Sequence, residues 1–236
     1  MKEIALPKHS AKQLLRRLRI DRFSTVQLLI ALAALLICAP FVEELEGGHL
    51  ILSVLFSLVL LAAVFAVANR KRTLAIALVL AIPAITGRWI SHFRPDLLHP
   101  AAFLVCALLL LAFVIGHMLR FILRAPIVTM EVLCASIAVY LMLGLVWTVA
   151  YWLVDQVTPG GAFSFNTQHG GQSMNGFTGF YFSFITLSTV GYGDITPVSR
   201  AARWLAAMEA MTGLLYVAVL IARLVSLYSR TKSDYS

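Results

Sequence analysis

The stretch that decides the reading is Thr186-Leu187-Ser188-Thr189-Val190-Gly191-Tyr192-Gly193-Asp194. It lies between a moderately apolar run of 12 residues, Phe177–Ser188, and a long apolar segment from about Ala201 to Leu227. A helix needs about 20 apolar residues to cross the hydrocarbon core. The shorter run is therefore read as a re-entrant helix. Glycine adopts positive φ without steric cost. With Gly191 and Gly193 at alternate positions, the strand between them and Thr189 can turn consecutive carbonyls the same way.

Outward from this stretch the chain stays apolar. Of 236 residues, 60% are hydrophobic and 13% charged, and the mean hydropathy is +0.87. Soluble domains carry about 25% charged residues, and one of this length has no interior large enough for so much hydrocarbon. The composition implies a multi-pass membrane protein. Spans are expected at about Ser24–Val42, Leu50–Ala68, Thr73–Ile90, Ala101–Leu119, Ile127–Val154 and Ala201–Leu227. Pro83 falls inside the third and is expected to kink it. The fold class is thus all-α: six transmembrane helices plus a short re-entrant helix and its following loop.

Charge placement orients the chain. The net charge is +8, and the basic residues cluster in short segments between spans. With the N-terminus inside, only Arg88, Arg94, Arg200 and Arg203 of the 19 basic residues fall outside, together with the acidic Glu43-Glu44-Leu45-Glu46 loop. The excess of Lys and Arg on cytoplasmic segments predicts a cell-membrane protein with both termini cytoplasmic. In residues 1–23, Leu14, Leu15, Leu18 and Ile20 alternate with Lys12, Arg16, Arg17 and Arg19. This suits a retained amphipathic segment on anionic membrane lipids. No basic patch is interleaved with aromatic residues, so nucleic acid is not an expected partner. Cys38, Cys106 and Cys134 all lie in apolar segments and offer neither a disulfide framework nor a metal spacing. Walker strings, nucleophile elbows and zinc spacings are missing, so the chain is expected to be no enzyme and to need no cofactor.

The string Thr189-Val190-Gly191-Tyr192-Gly193, followed by Asp194 and Pro197, preceded by a short helix and flanked by spans, resembles the filter of the potassium channel superfamily. The resemblance covers about the last hundred residues and points to prokaryotic six-span members with one pore loop. It implies passive, potassium-selective conduction, with K+ at the backbone carbonyls of Thr189, Val190, Gly191 and Tyr192 replacing its hydration shell. Val190 and Tyr192 would project away from the axis and pack on the pore helix. One filter string per chain supplies a quarter of a pore, so three further copies complete a homotetramer. In the family an aromatic residue 13 positions before the filter Asp braces it; that position is Tyr181, so a Tyr181–Asp194 contact is expected. Some relatives carry a carboxylate where this chain has Ile185. Gly213, 20 residues after Gly193, stands where the family places its inner-helix hinge. The chain then divides into the amphipathic segment (1–23), a four-helix transmembrane region (24–124), a pore domain (125–228) and a short cytoplasmic tail (229–236), too short for a ligand-binding domain.

Glu209 is unusual, a carboxylate well inside the last span. Ionisable groups there face protein or water and mark function; bracing of the pore helix and pH-coupled gating are both open to it. The first four spans sit where voltage sensors sit, yet the fourth is uncharged from Ala101 to Gly116, and only Arg120 and Arg124 follow at its cytoplasmic end. Little or no voltage sensing is expected. The alternative to a potassium channel is a non-conducting or weakly selective membrane subunit that regulates another channel or transporter. The region from about Asp155 to Gly176 is expected to be a mobile outer loop.

Overall fold

The computed structural model describes residues 22–43, 45, 47–68, 71–93, 100–166, 174 and 176–233. The expected amphipathic segment 1–23 lies almost wholly outside the described residues. Among the described residues, seven helices follow in order: α1 Arg22–Glu43, α2 Gly48–Ala66, α3 Lys71–Phe93, α4 Pro100–Arg124, α5 Met130–Val157, α6 Gly176–Leu187 and α7 Arg200–Ser233. Two three-residue strands, β1 Phe163–Phe165 and β2 Ile195–Pro197, complete the set.

Five of these helices (α1, α3, α4, α5 and α7) are long and apolar enough to cross a membrane. α2 has 19 residues, about 28 Å at 1.5 Å per residue, but its apolar stretch Leu50–Ala66 falls just short. α6, with 12 residues, is the short helix expected before the glycine strand. α7 is one unbroken helix to Ser233, so the segment 229–236, expected as a tail, begins as further helix. Pro83 lies inside the continuous α3.

Helical spacing explains the packing. In α1 the buried residues Leu28, Leu32, Leu35 and Ala39 form one stripe, the i, i+4, i+7 spacing of an amphipathic face. That stripe meets α2, α5 and α6. α4 runs back along α5 after only residues 125–129, so α1 and α4 pack directly on their own chain's α5, with α2 and α3 packed against those two. Thr129 caps α5, its hydroxyl accepting from Val132 N at 3.4 Å. Glu131 in the first turn complements the helix dipole.

α5 and α6 approach closely. A Cβ on Gly144 would lie 2.5 Å from the Phe184 ring, and one on Gly179 would lie 2.2 Å from Trp152 Nε1. Rings fill the space around them. Tyr151 meets Phe182 edge-on at 4.9 Å and Phe163 at 5.6 Å, while Trp152 meets Phe180 at 5.5 Å. Such pairs contribute about 0.5–1.5 kcal/mol each beyond burial.

The fold is mostly helical, in keeping with an all-α class. β1 falls within the region expected as a loop and pairs antiparallel with β2, in the register Phe163↔Pro197, Ser164↔Thr196, Phe165↔Ile195. Asp155 Oδ1 starts this ordered part by accepting from Ala162 N at 2.7 Å. Arg88, near the end of the expected third span, lies within α3, where Nε donates to Ser53 Oγ at 3.2 Å. Its guanidinium sits 5.9 Å from the ring centroids of both Phe56 and Trp152, within cation–π range.

The α5–α6 seam yields a paired prediction. Gly144→Ala should lower thermal stability by about 1–3 kcal/mol, because overpacking displaces Phe184. Gly116→Ala, on α4 with nothing within 4 Å of its Cβ, should be neutral or stabilising by about 0.5–1 kcal/mol. Melting curves of the purified variants check both.

Candidate functional site: the Thr189–Gly193 strand

The strand leaves the C-terminal end of α6 and is tied to it by its amides. Thr189 N donates to Thr186 O at 2.9 Å, and Val190 N and Gly191 N both donate to Ile185 O, at 2.8 and 3.2 Å. These bonds use carbonyls that a helix end leaves without intrahelical partners. With the amides turned back on α6, the strand's carbonyls are left over. Among the described residues, no hydrogen bond ends on the carbonyl of Thr189, Val190, Gly191, Tyr192 or Gly193.

Backbone angles alternate along the strand. Thr189, Gly191 and Gly193 have φ of 59°, 52° and 80°. The two glycines were legible as positive-φ positions. Thr189 was not, since for a β-branched residue positive φ is a genuine outlier. All five residues are exposed on the protomer, and Tyr192 is 71% exposed. Val190 is exposed as well, so neither Val190 nor Tyr192 is buried against α6 within one chain.

Beyond the strand, Asp194 O accepts from Asn166 N at 2.7 Å, carrying the β1–β2 pairing up to the strand's C-terminal end. Tyr181 and Asp194 lie close enough for the carboxylate to act on the phenol. Asp194 Oδ1 stays buried, with no partner among the described residues.

α7 meets the site along one stripe. Ala202, Glu209 and Gly213 are buried, and Tyr216 and Leu220 half-buried, while Trp204, Met211, Leu214 and Val219 are exposed. Glu209 is 0% exposed. Tyr151 of α5 donates its hydroxyl proton to Oε2, and Ser183 of α6 places Oγ 2.6 Å from Oε1. Glu209 therefore joins α5, α6 and α7 at one point. Gly213 brings α7 onto the end of α6: a Cβ there would lie 2.1 Å from Leu187 O. Lower down, Tyr216 donates to Ser136 O of α5 at 2.7 Å. Arg223 Nη2 donates to Leu123 O and Ala125 O at the end of α4, both at 2.9 Å.

The sequence singled out Glu209 but not its partners Ser183 and Tyr151. A buried carboxylate in an apolar helix demands donors, which was the available signal. The partners lie 26 and 58 residues away, and only the fold selects them. No group of His, Cys, Asp and Glu able to hold a metal is found among the described residues.

Gly213→Ala should push α7 off Leu187 and loosen the strand's amide ties. Hydrogen exchange at Thr189, Val190 and Gly191 is expected to speed up about tenfold or more, for a loss of about 1.4 kcal/mol in local stability.

Comparison with known proteins places this geometry. A family model described as "Ion channel" matches residues 103–230, more than half of the chain. Two-pore potassium channel 4 of Arabidopsis thaliana is 41% identical over 63 residues, 26% of this chain and 22% of that protein. Protein LctB of Bacillus caldotenax is 47% identical over 45 residues, 19% of this chain and 33% of that protein. Protein LctB of Geobacillus stearothermophilus is 49% identical over the same length. The chain thus spans between about a fifth and a third of the relatives it matches. No solved structure gives a significant match. From α4 through α7, including the strand with unpaired carbonyls, the chain belongs to this ion-channel family.

Proposed function

We propose that four copies of this chain form a potassium-selective channel, with Thr189–Gly193 as the filter and α6 as the pore helix. One observation carries the reading: the strand's amides are tied to α6 while its five carbonyls have no partner among the described residues. Unpaired backbone carbonyls are costly unless water or a ligand satisfies them. Rings of such oxygens from four chains would supply what a potassium ion loses with its hydration shell. The carbonyls of Thr189, Val190, Gly191 and Tyr192 are the K+ ligands on this reading, and Asp194 with Tyr181 braces the outer end.

The exposed face of the protomer supports the assembly. Tyr192, Trp204 and Leu214 are all more than 60% exposed, although strand and helix lie at the centre of a fourfold arrangement. Neighbouring copies would cover them. α2 would cross with the other five long helices to give six spans, both termini being cytoplasmic as the charge distribution requires. The description of the Arabidopsis relative as a potassium channel agrees with the ion proposed.

α1–α4 would serve as a scaffold around the pore with little voltage sensing. Each charge that crosses the whole field contributes about 2.3 kcal/mol per 100 mV, and sensors use three or four per subunit. Here α4 carries Arg120 and Arg124 at one end, and Arg88 is held by Ser53 and two rings.

The test is the bi-ionic reversal potential of purified protein in a planar bilayer, potassium facing sodium. A reversal close to the potassium equilibrium potential is expected. A reversal near zero would refute selectivity. A protein that stays silent across pH, lipid and voltage would favour the regulatory-subunit reading. Gly191→Ala should abolish selective current, because positive φ costs a side chain about 1–2 kcal/mol at each of four positions in the ring. Open probability should vary only weakly over about 100 mV of either sign.

A further inference from the structure

We propose that Glu209 holds its proton in the working protein and, as a neutral hydrogen-bond donor to Ser183, is the positioning residue that fixes α6 beneath the filter. The functional part of this rests on the channel reading above; the protonation part does not.

The inference comes from counting hydroxyl protons. Ser183 Oγ lies 2.6 Å from Glu209 Oε1 and 2.7 Å from Gly144 O. Both distances are those of full-strength O–H···O bonds. A serine hydroxyl has one proton to give. A backbone carbonyl and an ionised carboxylate can only accept. With Glu209 ionised, one of the two short contacts would set lone pair against lone pair. Tyr151 does not relieve this, since its own proton goes to Oε2. Thr148 does not either: its hydroxyl already donates to Gly144 O at 2.8 Å.

A proton on Oε1 resolves every contact. Oε1–H donates to Ser183 Oγ, Ser183 donates to Gly144 O, and Tyr151 donates to Oε2. The chain of bonds runs in one direction, so each strengthens the next. The surroundings agree. Glu209 is 0% exposed within a single protomer, so a neighbouring copy cannot reach it to supply a charge. The titratable groups that face it are Tyr151 and Tyr140, both from α5. Among the described residues, α6 presents only the Ser183 hydroxyl, and no cation from α7 or another element acts on it. A bare carboxylate without a cation in such a place is strongly disfavoured.

The relay also explains how the proton would matter. Ser183 lies two to four residues before Ile185–Leu187 in the same helix, and the backbone of those residues holds the filter amides and meets Gly213. Removing the proton leaves Ser183 between two acceptors and pushes α6 from its seat. The filter would lose its shape without any residue of the filter having changed.

Two measurements decide the matter. The first is an infrared difference spectrum between wild type and Glu209→Gln at neutral pH, which needs no current and so stands apart from the channel reading. A carboxylic-acid C=O band that disappears in the variant is expected, and in Ser183→Ala that band should shift as its donor loses its acceptor. No acid band in wild type, or a band indifferent to Ser183→Ala, would overturn the proposal. The second is selectivity across pH. Gln reproduces the neutral acid, one N–H toward Ser183 and one carbonyl toward Tyr151. Glu209→Gln should therefore keep wild-type selectivity to within about twofold and retain it at alkaline pH where wild type loses it. Glu209→Ala should lose it at every pH. A Gln variant as defective as Ala, or one sharing the wild-type alkaline loss, would equally overturn the proposal.

Discussion

Five successive backbone carbonyls, Thr189 to Gly193, go without a hydrogen bond among the described residues, and most of the surrounding architecture keeps them that way. Left to itself, an extended strand would pair its backbone in a ladder or in solvent. Three devices prevent it. The amides turn back onto Ile185 and Thr186 at the end of α6. Positive φ at Thr189, Gly191 and Gly193 departs from the extended backbone that a ladder requires. The β1–β2 pairing takes up the chain immediately beyond Asp194. Backbone strain at Thr189, about 1–3 kcal/mol for a position of this kind, is the cost of this arrangement and is held by its neighbours.

Since the strand is only as well placed as α6, the contacts that seat α6 carry disproportionate weight. Two are close approaches of backbone, at Gly144 and Gly213, where a single methyl group would displace a ring or a carbonyl. The third is polar, the junction of Glu209, Ser183 and Tyr151. Apolar packing alone leaves a short helix free to slide or rotate by fractions of a turn; a buried hydrogen-bonded junction admits one register. α1 contributes as well, since its stripe reaches both α5 and α6. The four-helix region is thereby packed against the elements that position the strand. Arg88 against Trp152, whose indole also contacts Phe180, continues this support.

Much of this was legible in the sequence, for physical reasons. Long apolar runs and their charged borders are a one-dimensional signal, and the helices start and end within a few residues of the hydropathy boundaries. Gly191 and Gly193 announce unusual backbone, and Glu209 announces itself by being ionisable where ionisable groups are expensive. What could not be read depends on contacts between distant residues. The strands Phe163–Phe165 and Ile195–Pro197 are too short to show a period. Thr189 adopts positive φ because its surroundings impose it, against its own preference. Ser183 is one hydroxyl among several in apolar helices, and only the crossing of α6 over α5 and α7 brings it to Glu209. The sequence shows the charge of Arg88 but not that Phe56 and Trp152 face it.

Where cations sit in the assembled protein is the most direct test of all this. Crystals grown in rubidium or thallium salts would give an anomalous signal for each bound ion. A row of ions on the symmetry axis, each enclosed by rings of carbonyls from Thr189 to Tyr192, is the expected result. Ions confined to a wider vestibule, or a strand lined with water and indifferent to the cation supplied, would contradict the role assigned to those four carbonyls.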